Sequence, residues 1–174
     1  FYQVTCRAGR RRSAAVSYLN PVRRRPNLTI RTGARAIRLV IENGRAVGVE
    51  IAHRGQTEIL RAEREVLVSS GAINSPRLLM LSGIGDADAL ARLGIKPVVD
   101  LKGVGQNLHD HLCTNVHLRL KDRISYDGQD KFPASIPHGI QWLLYRNGPA
   151  ASVIVEGGGF FQSEGATRPD LQVH

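Results

Sequence analysis

The sequence predicts a mixed α+β fold, and three observations carry that expectation. Between residues 36 and 62, short runs alternate apolar and polar residues around turn signals, as in an antiparallel meander with one solvated face. Residues 64–85 read as strand, small-residue turn, helix and glycine stop. The remaining helical stretches are short and punctuated by Asn, Gly or Pro.

Taken in order, residues 13–19 (Ser-Ala-Ala-Val-Ser-Tyr-Leu) read as a short helix capped by Ser13 and ended by Asn20-Pro21. Strands are expected over 27–31 and 36–42. Asn43-Gly44 is a hairpin signal, because both central positions of a type I′ turn need positive φ. Residues 45–53 and 57–62 complete the meander. The run at 64–70 (Arg-Glu-Val-Leu-Val-Ser-Ser) has the denser apolar content of a buried strand. Gly71-Ala72 makes the turn, Ser75 caps a helix with Pro76 at its first position, and Gly83-Ile84-Gly85 stops it. Residues 87–93 form a short amphipathic helix closed by Gly94. An extended stretch at 96–101 and a glycine-bearing loop at 102–107 follow. From His117 onward the pattern changes to loops, sparse strands and a helix at 139–145 stopped by Asn147-Gly148-Pro149. A strand at 152–162 contains Gly157-Gly158-Gly159.

At 174 residues the chain is long enough to bury a core, and no apolar run approaches the roughly 18 residues of a membrane span. The opening Phe1-Tyr2-Gln3-Val4, without an initiator Met, suggests a piece of something longer. Much of the net charge of +9 sits in Arg7–Arg12 and Arg23–Arg25. With aromatics at only 5% and few of them interleaved, these arginines read as solvated surface, and no nucleic-acid partner is expected. Cys6 and Cys113 are far apart and form no Cys-x-x-Cys pair, which argues against a disulfide framework; the redox compartment stays open, with the cytoplasm the simplest reading. On a strand, His109-Asp110-His111 would place both imidazoles on one face. A zinc ion needs more ligands than these two imidazoles, and the metal reading is set aside.

The stretch Gly71-Ala-Ile-Asn-Ser-Pro-Arg-Leu-Leu-Met-Leu-Ser-Gly-Ile-Gly85 resembles the second signature of the glucose-methanol-choline (GMC) family of FAD-dependent oxidoreductases. Ser75-Pro76, Leu78-Leu79 and Ser82-Gly83-Ile84-Gly85 are the matching positions. Flanking blocks agree in the family's order. They are Arg12-Ser13-Ala14-Ala15, Arg25-Pro26-Asn27-Leu28, Arg45-Ala46-Val47-Gly48-Val49-Glu50, the run from Gly103-Val104-Gly105 to His111, and Pro169-Asp170-Leu171-Gln172.

The resemblance implies part of an FAD-binding domain over residues 1–107, with a cap helix near 13–19, and the beginning of an antiparallel-sheet substrate domain over 108–174. It implies FAD as cofactor, with the main chain at Ala36 meeting the adenine. The turn Ser70-Gly71-Ala72, with Ser75, passes the flavin at backbone distance, and Asn107, Asp110 and His111 lie beside it. His109 departs from the Gln common there. Glu156, ahead of the triple glycine, is similar to the carboxylate that helps hold a trimethylammonium group in choline-oxidising relatives. The implied activity is oxidation of a small-molecule alcohol by hydride transfer to flavin. No Gly-x-Gly-x-x-Gly fingerprint occurs in these residues, nor does the family's C-terminal catalytic His region. The expectation is therefore an inactive fragment whose partners include the missing N- and C-terminal segments. The alternative is a non-catalytic flavin-fold or interaction module.

Overall fold

A computed structural model describes residues 5–118, 120–122, 125–152 and 157–174. In chain order its strands are β1 (Cys6–Arg7), β2 (Arg10–Arg11), β3 (Ala34–Glu42), β4 (Arg45–His53), β5 (Gln56–Arg61), β6 (Ile84–Gly85), β7 (Val99–Asp100), β8 (Gly159–Phe161) and β9 (Leu171–Val173). The α-helices are α1 (Gly71–Leu81), α2 (Ala87–Arg92) and α3 (Ser135–Tyr145). This is the mixed α and β content expected. The chain divides into two compact units, Ile30–Asn115 and a second made of Phe1–Thr29 with Val116–His174. Among the described residues no helix is long and apolar enough to cross a membrane.

In the Ile30–Asn115 unit, β3, β4 and β5 form the antiparallel meander. Asn43 (φ 50°) and Gly44 (φ 76°) close the first hairpin, and Arg54 (φ 52°) and Gly55 (φ 79°) close the second. Each is a two-residue turn with both φ values positive, the twist that suits paired strands. Gly48 is obligatory, since a β-carbon there would overlap the Leu60 carbonyl across the ladder. The exposed ion pair Arg61–Glu42 (2.6 Å) bridges β5 and β3, and Arg31–Glu58 (2.6 Å) ties the segment before β3 to β5. Among the described residues Leu39, Ile51, Leu78 and Leu90 are the buried apolar ones; α1 packs on β3 of the meander, and α2 packs on β6.

The C-terminal end of α1 is fixed to the open edge of β3. Buried Ser82 accepts the Leu39 N–H (2.8 Å) and donates to the Leu78 carbonyl (2.6 Å). Gly83 follows at φ 82°, where a β-carbon would lie 2.5 Å from the Lys96 carbonyl oxygen. That close approach lets β6 pair in parallel with β7. Asp86 caps α2 by accepting the Ala89 N–H (2.8 Å), and Gly94 at φ 73° ends it.

Several expectations are corrected. Residues 27–31 form no strand. Successive turns, with Val22 bonded to Leu19, Arg25 to Val22 and Leu28 to Arg25, use the backbone groups just before a ladder would begin. The run 65–69 forms no strand and pairs with none among the described residues, and Leu67 is 79% exposed. A buried parallel strand needs neighbours on both edges, and apolar content alone does not supply them. α1 begins at Gly71 rather than at Pro76, so Ser75 and Pro76 lie inside it. Residues 13–19 do form a helix, but its turn at Ala15–Leu19 is of the wide π type, closed by Asn20 N–H to the Ala15 carbonyl at 2.8 Å.

In the other unit, α3 starts already at Ser135, with Pro137 in the first turn where no intrahelical N–H is required. Trp142 donates from Nε1 to the Gly9 carbonyl (2.8 Å), tying α3 to the β1–β2 hairpin. Arg146, at φ 57°, ends α3 and places its guanidinium 4.2 Å from the Trp142 ring centroid. Of the strand expected over 152–162, β8 covers Gly159–Phe161 and pairs with β9. Residues 153–156 of that stretch lie outside the described residues.

Candidate functional site

A cleft of about 470 Å³ opens between β3 and the start of α1. Arg35, Ala36 and Ile37 form one wall, and Ser70, Asn74 and Arg77 contribute to the other. The β3–β4 register shifts between Ala36 and Arg38, so the sheet is irregular where it borders the cleft. Two arginines and no carboxylate line it, which suits a ligand rich in hydrogen-bond acceptors.

The start of α1 is built for close approach. Gly71 has φ 86°, and a β-carbon placed there would meet nothing within 4 Å. Ser75 Oγ reaches back to accept the Ser70 N–H at 2.9 Å. Its role is to satisfy the residue that precedes the helix, rather than to serve as the cap itself. The first-turn N–H groups beyond Ser70 have no intrahelical acceptor and carry the positive end of the helix dipole. Pro76 lacks an N–H, so the Ala72 carbonyl is also without its helical donor.

Ala36 and Ser70 thus line one cleft, and Gly71 and Ala72 adjoin it at the helix start. Asn107, Asp110 and His111 lie in the same unit but not on that cleft. They follow a loop in which Gly105 (φ 77°) and Asn107 (φ 57°) are both left-handed. His109 Nδ1 is 2.8 Å from the Asn107 carbonyl, and Asp110 accepts the His111 N–H at 2.8 Å. Among the described residues no three His, Cys, Asp or Glu side chains converge as a metal site would require. Glu156 lies outside the described residues.

Arg35, Asn74 and Arg77 are the polar cleft residues that the sequence reading missed, with the apolar Ile37, Leu78 and Leu81. Asn74 and Arg77 are three apart on one face of a helix that begins at Gly71, a periodicity hidden once Ser75-Pro76 is taken as the helix start. Among the described residues of the second unit, Asp170 has a displaced pKa. The Ser163 hydroxyl (2.5 Å) and Ser163 N–H (2.8 Å) both donate to its carboxylate and hold its pKa below the ordinary value.

Comparison with known proteins gives a consistent result. The family described as GMC oxidoreductase matches residues 1–113. Human mitochondrial choline dehydrogenase is 43% identical over 172 residues, covering 98% of this chain and 29% of its own length. The oxygen-dependent choline dehydrogenase of Sinorhizobium fredii is 47% identical over 169 residues, covering 95% of this chain and 30% of its own. Among solved structures, a variant of formate oxidase from Aspergillus oryzae RIB40 superposes with a TM-score of 0.72 at 33% identity, over 85% of this chain and 26% of that one. The chain therefore spans less than a third of the length of these relatives.

Proposed function

This chain belongs to the GMC oxidoreductase family, and from that premise we propose that it forms part of the cofactor-binding core of an FAD-dependent enzyme that oxidises the CH–OH group of a small alcohol. One observation carries the reading most directly. Ala36 and Ser70, 34 positions apart in sequence, line one cleft of a size that suits a flat heterocycle.

Bound FAD would supply the hydride acceptor, and the residues here would bind and orient it. The main chain at Ala36 reads the adenine edge, with Asn74 and Arg77 facing it from α1. Ser70, Gly71 and Ala72 bring backbone rather than side chains to the cofactor, and Ser75 keeps that turn in shape. Asn107, Asp110 and His111 stand on the flavin side. Residues 1–107 serve the cofactor and 108–174 begin the substrate domain. Glu156 gives the substrate side its negative charge, and the names of the choline dehydrogenase relatives support a quaternary ammonium alcohol as substrate. The two scattered cysteines favour a reducing compartment, the cytoplasm. The word "mitochondrial" in the human relative's name supports the competing location.

We propose further that these 174 residues alone do not turn over alcohol. They hold neither a Gly-x-Gly-x-x-Gly cradle nor the C-terminal histidine region on which the family's chemistry depends. The test is an NMR titration of the chain with FAD, followed by a choline oxidation assay of the same sample. The expected result is selective shifts at residues 35–37 and 70–77 with no turnover. Absence of shifts at saturating FAD removes the cleft from the cofactor site, and measurable turnover refutes the inactivity.

A further inference from the structure

We propose that Met80 is a positioning residue for the Gly103–Asn107 loop, and through it for Asn107, Asp110 and His111. The role assigned to those three residues rests on the FAD reading above; the packing argument does not. Met80 is the chain's sole methionine and lies in the last turn of α1. It is partly buried, and glycines border it on two sides. A β-carbon at Gly85 would come 3.3 Å from Met80 Cγ, and one at Gly105 would come 3.2 Å from both Sδ and Cε. Both distances are tighter than ordinary van der Waals contact. The side chain therefore occupies space that exists only because residues 85 and 105 have none.

This packing couples two parts of the unit that are distant in sequence. Gly85 accepts the Leu101 N–H at 2.9 Å, which anchors the start of the loop to β6. The loop then makes two successive tight turns, Val104 N–H to Leu101 (3.1 Å) and Gln106 N–H to Gly103 (3.2 Å). Gly105 sits within the second turn at φ 77°, and the thioether end of Met80 packs against it. The exit follows through left-handed Asn107 into Asp110 and His111. An unbranched, polarizable side chain suits this gap, because it can conform to bare backbone on both sides. Shortening it frees the loop's midpoint while Leu101 stays tied to Gly85.

The same packing joins the loop to α1. Met80 stands between Leu79 and Leu81 on the helix whose first turn borders the Ala36 cleft. Any displacement of α1 along its axis is passed through Met80 to the loop.

Hydrogen exchange of the 174-residue chain tests this, with Met80→Ala and Met80→Leu compared. In Met80→Ala the amides of Val104 and Gln106 should exchange about tenfold faster, while amides of the β4–β5 ladder keep their rates. Met80→Leu, of similar volume, should restore the loop rates to within about twofold. Unchanged loop rates in Met80→Ala overturn the proposal. So does an equal acceleration in the loop and the ladder, since Met80 would then be ordinary core. A second readout separates the proposal from the FAD reading. In the FAD-loaded protein, Met80→Ala should alter the visible circular dichroism of the flavin. A loosened loop with unaltered dichroism upholds the positioning of the loop and removes it from the flavin's neighbourhood.

Discussion

Ser82 and Leu39 are joined by a buried hydrogen bond of 2.8 Å, from the strand's amide to the serine hydroxyl, across 43 positions of sequence. The bond covers an N–H on the edge of β3 that has no strand partner among the described residues, because β3 is the outer strand of the meander. The same hydroxyl turns its proton to Leu78, so one atom closes both the helix end and the sheet edge. Replacing Ser82 with Ala leaves the Leu39 N–H buried and unpaired. The expected loss is about 1–3 kcal/mol of stability. Denaturant unfolding followed through the Ile30–Asn115 unit measures it, and a loss below about 0.5 kcal/mol would mean that water replaces the hydroxyl.

Gly71 separates backbone strain from ligand contact. Its φ of 86° penalises any side chain, and the space beside it is open. Gly71→Val should cost about 1–2 kcal/mol from the left-handed backbone alone, with far-ultraviolet circular dichroism nearly unchanged at moderate temperature. If the turn meets bound FAD at backbone distance, FAD content falls by much more than that stability loss explains. Equal flavin loading of wild type and variant at matched folded fraction contradicts the close approach.

The second unit carries its own reporter. Trp142 is the chain's one tryptophan, and its indole is held by Gly9 and covered by Arg146. A β-carbon at Gly9 would collide with the Arg146 carbonyl, and Gly9 has φ 63°. Gly9→Ala should therefore red-shift the fluorescence maximum and lower the midpoint of the transition that fluorescence follows. A spectrum and midpoint like those of wild type would show that the hairpin is not tied to α3 in solution.

Asp170 gives a pH-dependent local prediction. Hydrogen bonds from Ser163 depress its folded-state pKa, so the contact is present above the ordinary aspartate range and is lost as pH falls through the lowered value. The carboxylate is fully exposed, so the effect is confined to the 163–170 turn. In a pH titration by NMR, the Ser163 amide should move with the lowered Asp170 value. Ser163→Ala should return Asp170 toward its ordinary value, and an unmoved titration midpoint would count against the contact.

Glu156 is tested by charge. If it faces a trimethylammonium group in the active enzyme, Glu156→Gln should weaken choline binding and spare the neutral isostere 3,3-dimethylbutan-1-ol. Loss of one interaction with a charged group is worth on the order of 1.5–3 kcal/mol, roughly tenfold to a hundredfold in affinity. Equal changes in the two Michaelis constants would remove Glu156 from the substrate site.

The parts of the fold legible in the sequence are those specified locally. Asn43-Gly44 and the alternation on either side set the meander, and Gly94 marks the end of α2. α1 was legible in kind but misplaced at its start, because Ser75-Pro76 imitates a helix opening. The true opening depends on a left-handed Gly71, and a glycine code carries no sign of φ. In the candidate site, Ala36 and the Ser70–Ala72 turn were visible through resemblance. Arg35, Asn74 and Arg77 were not, because they meet only after residues 35 and 74–77 are brought together by folding. The pairing of residues 65–69 was misread because apolar content reports a preference for burial and says nothing of available neighbours.

That bare stretch has a practical consequence. From Glu65 to Ser69, no backbone N–H or carbonyl takes part in a ladder among the described residues, and the sequence there is Glu-Val-Leu-Val-Ser. A β-branched apolar stretch whose backbone groups are in no ladder is a template on which another chain can add. The colloidal behaviour of the protein should therefore depend on this segment more than on its high net charge. Turbidity in concentrated samples should fall when Leu67, exposed at the middle of the stretch, is replaced by Lys.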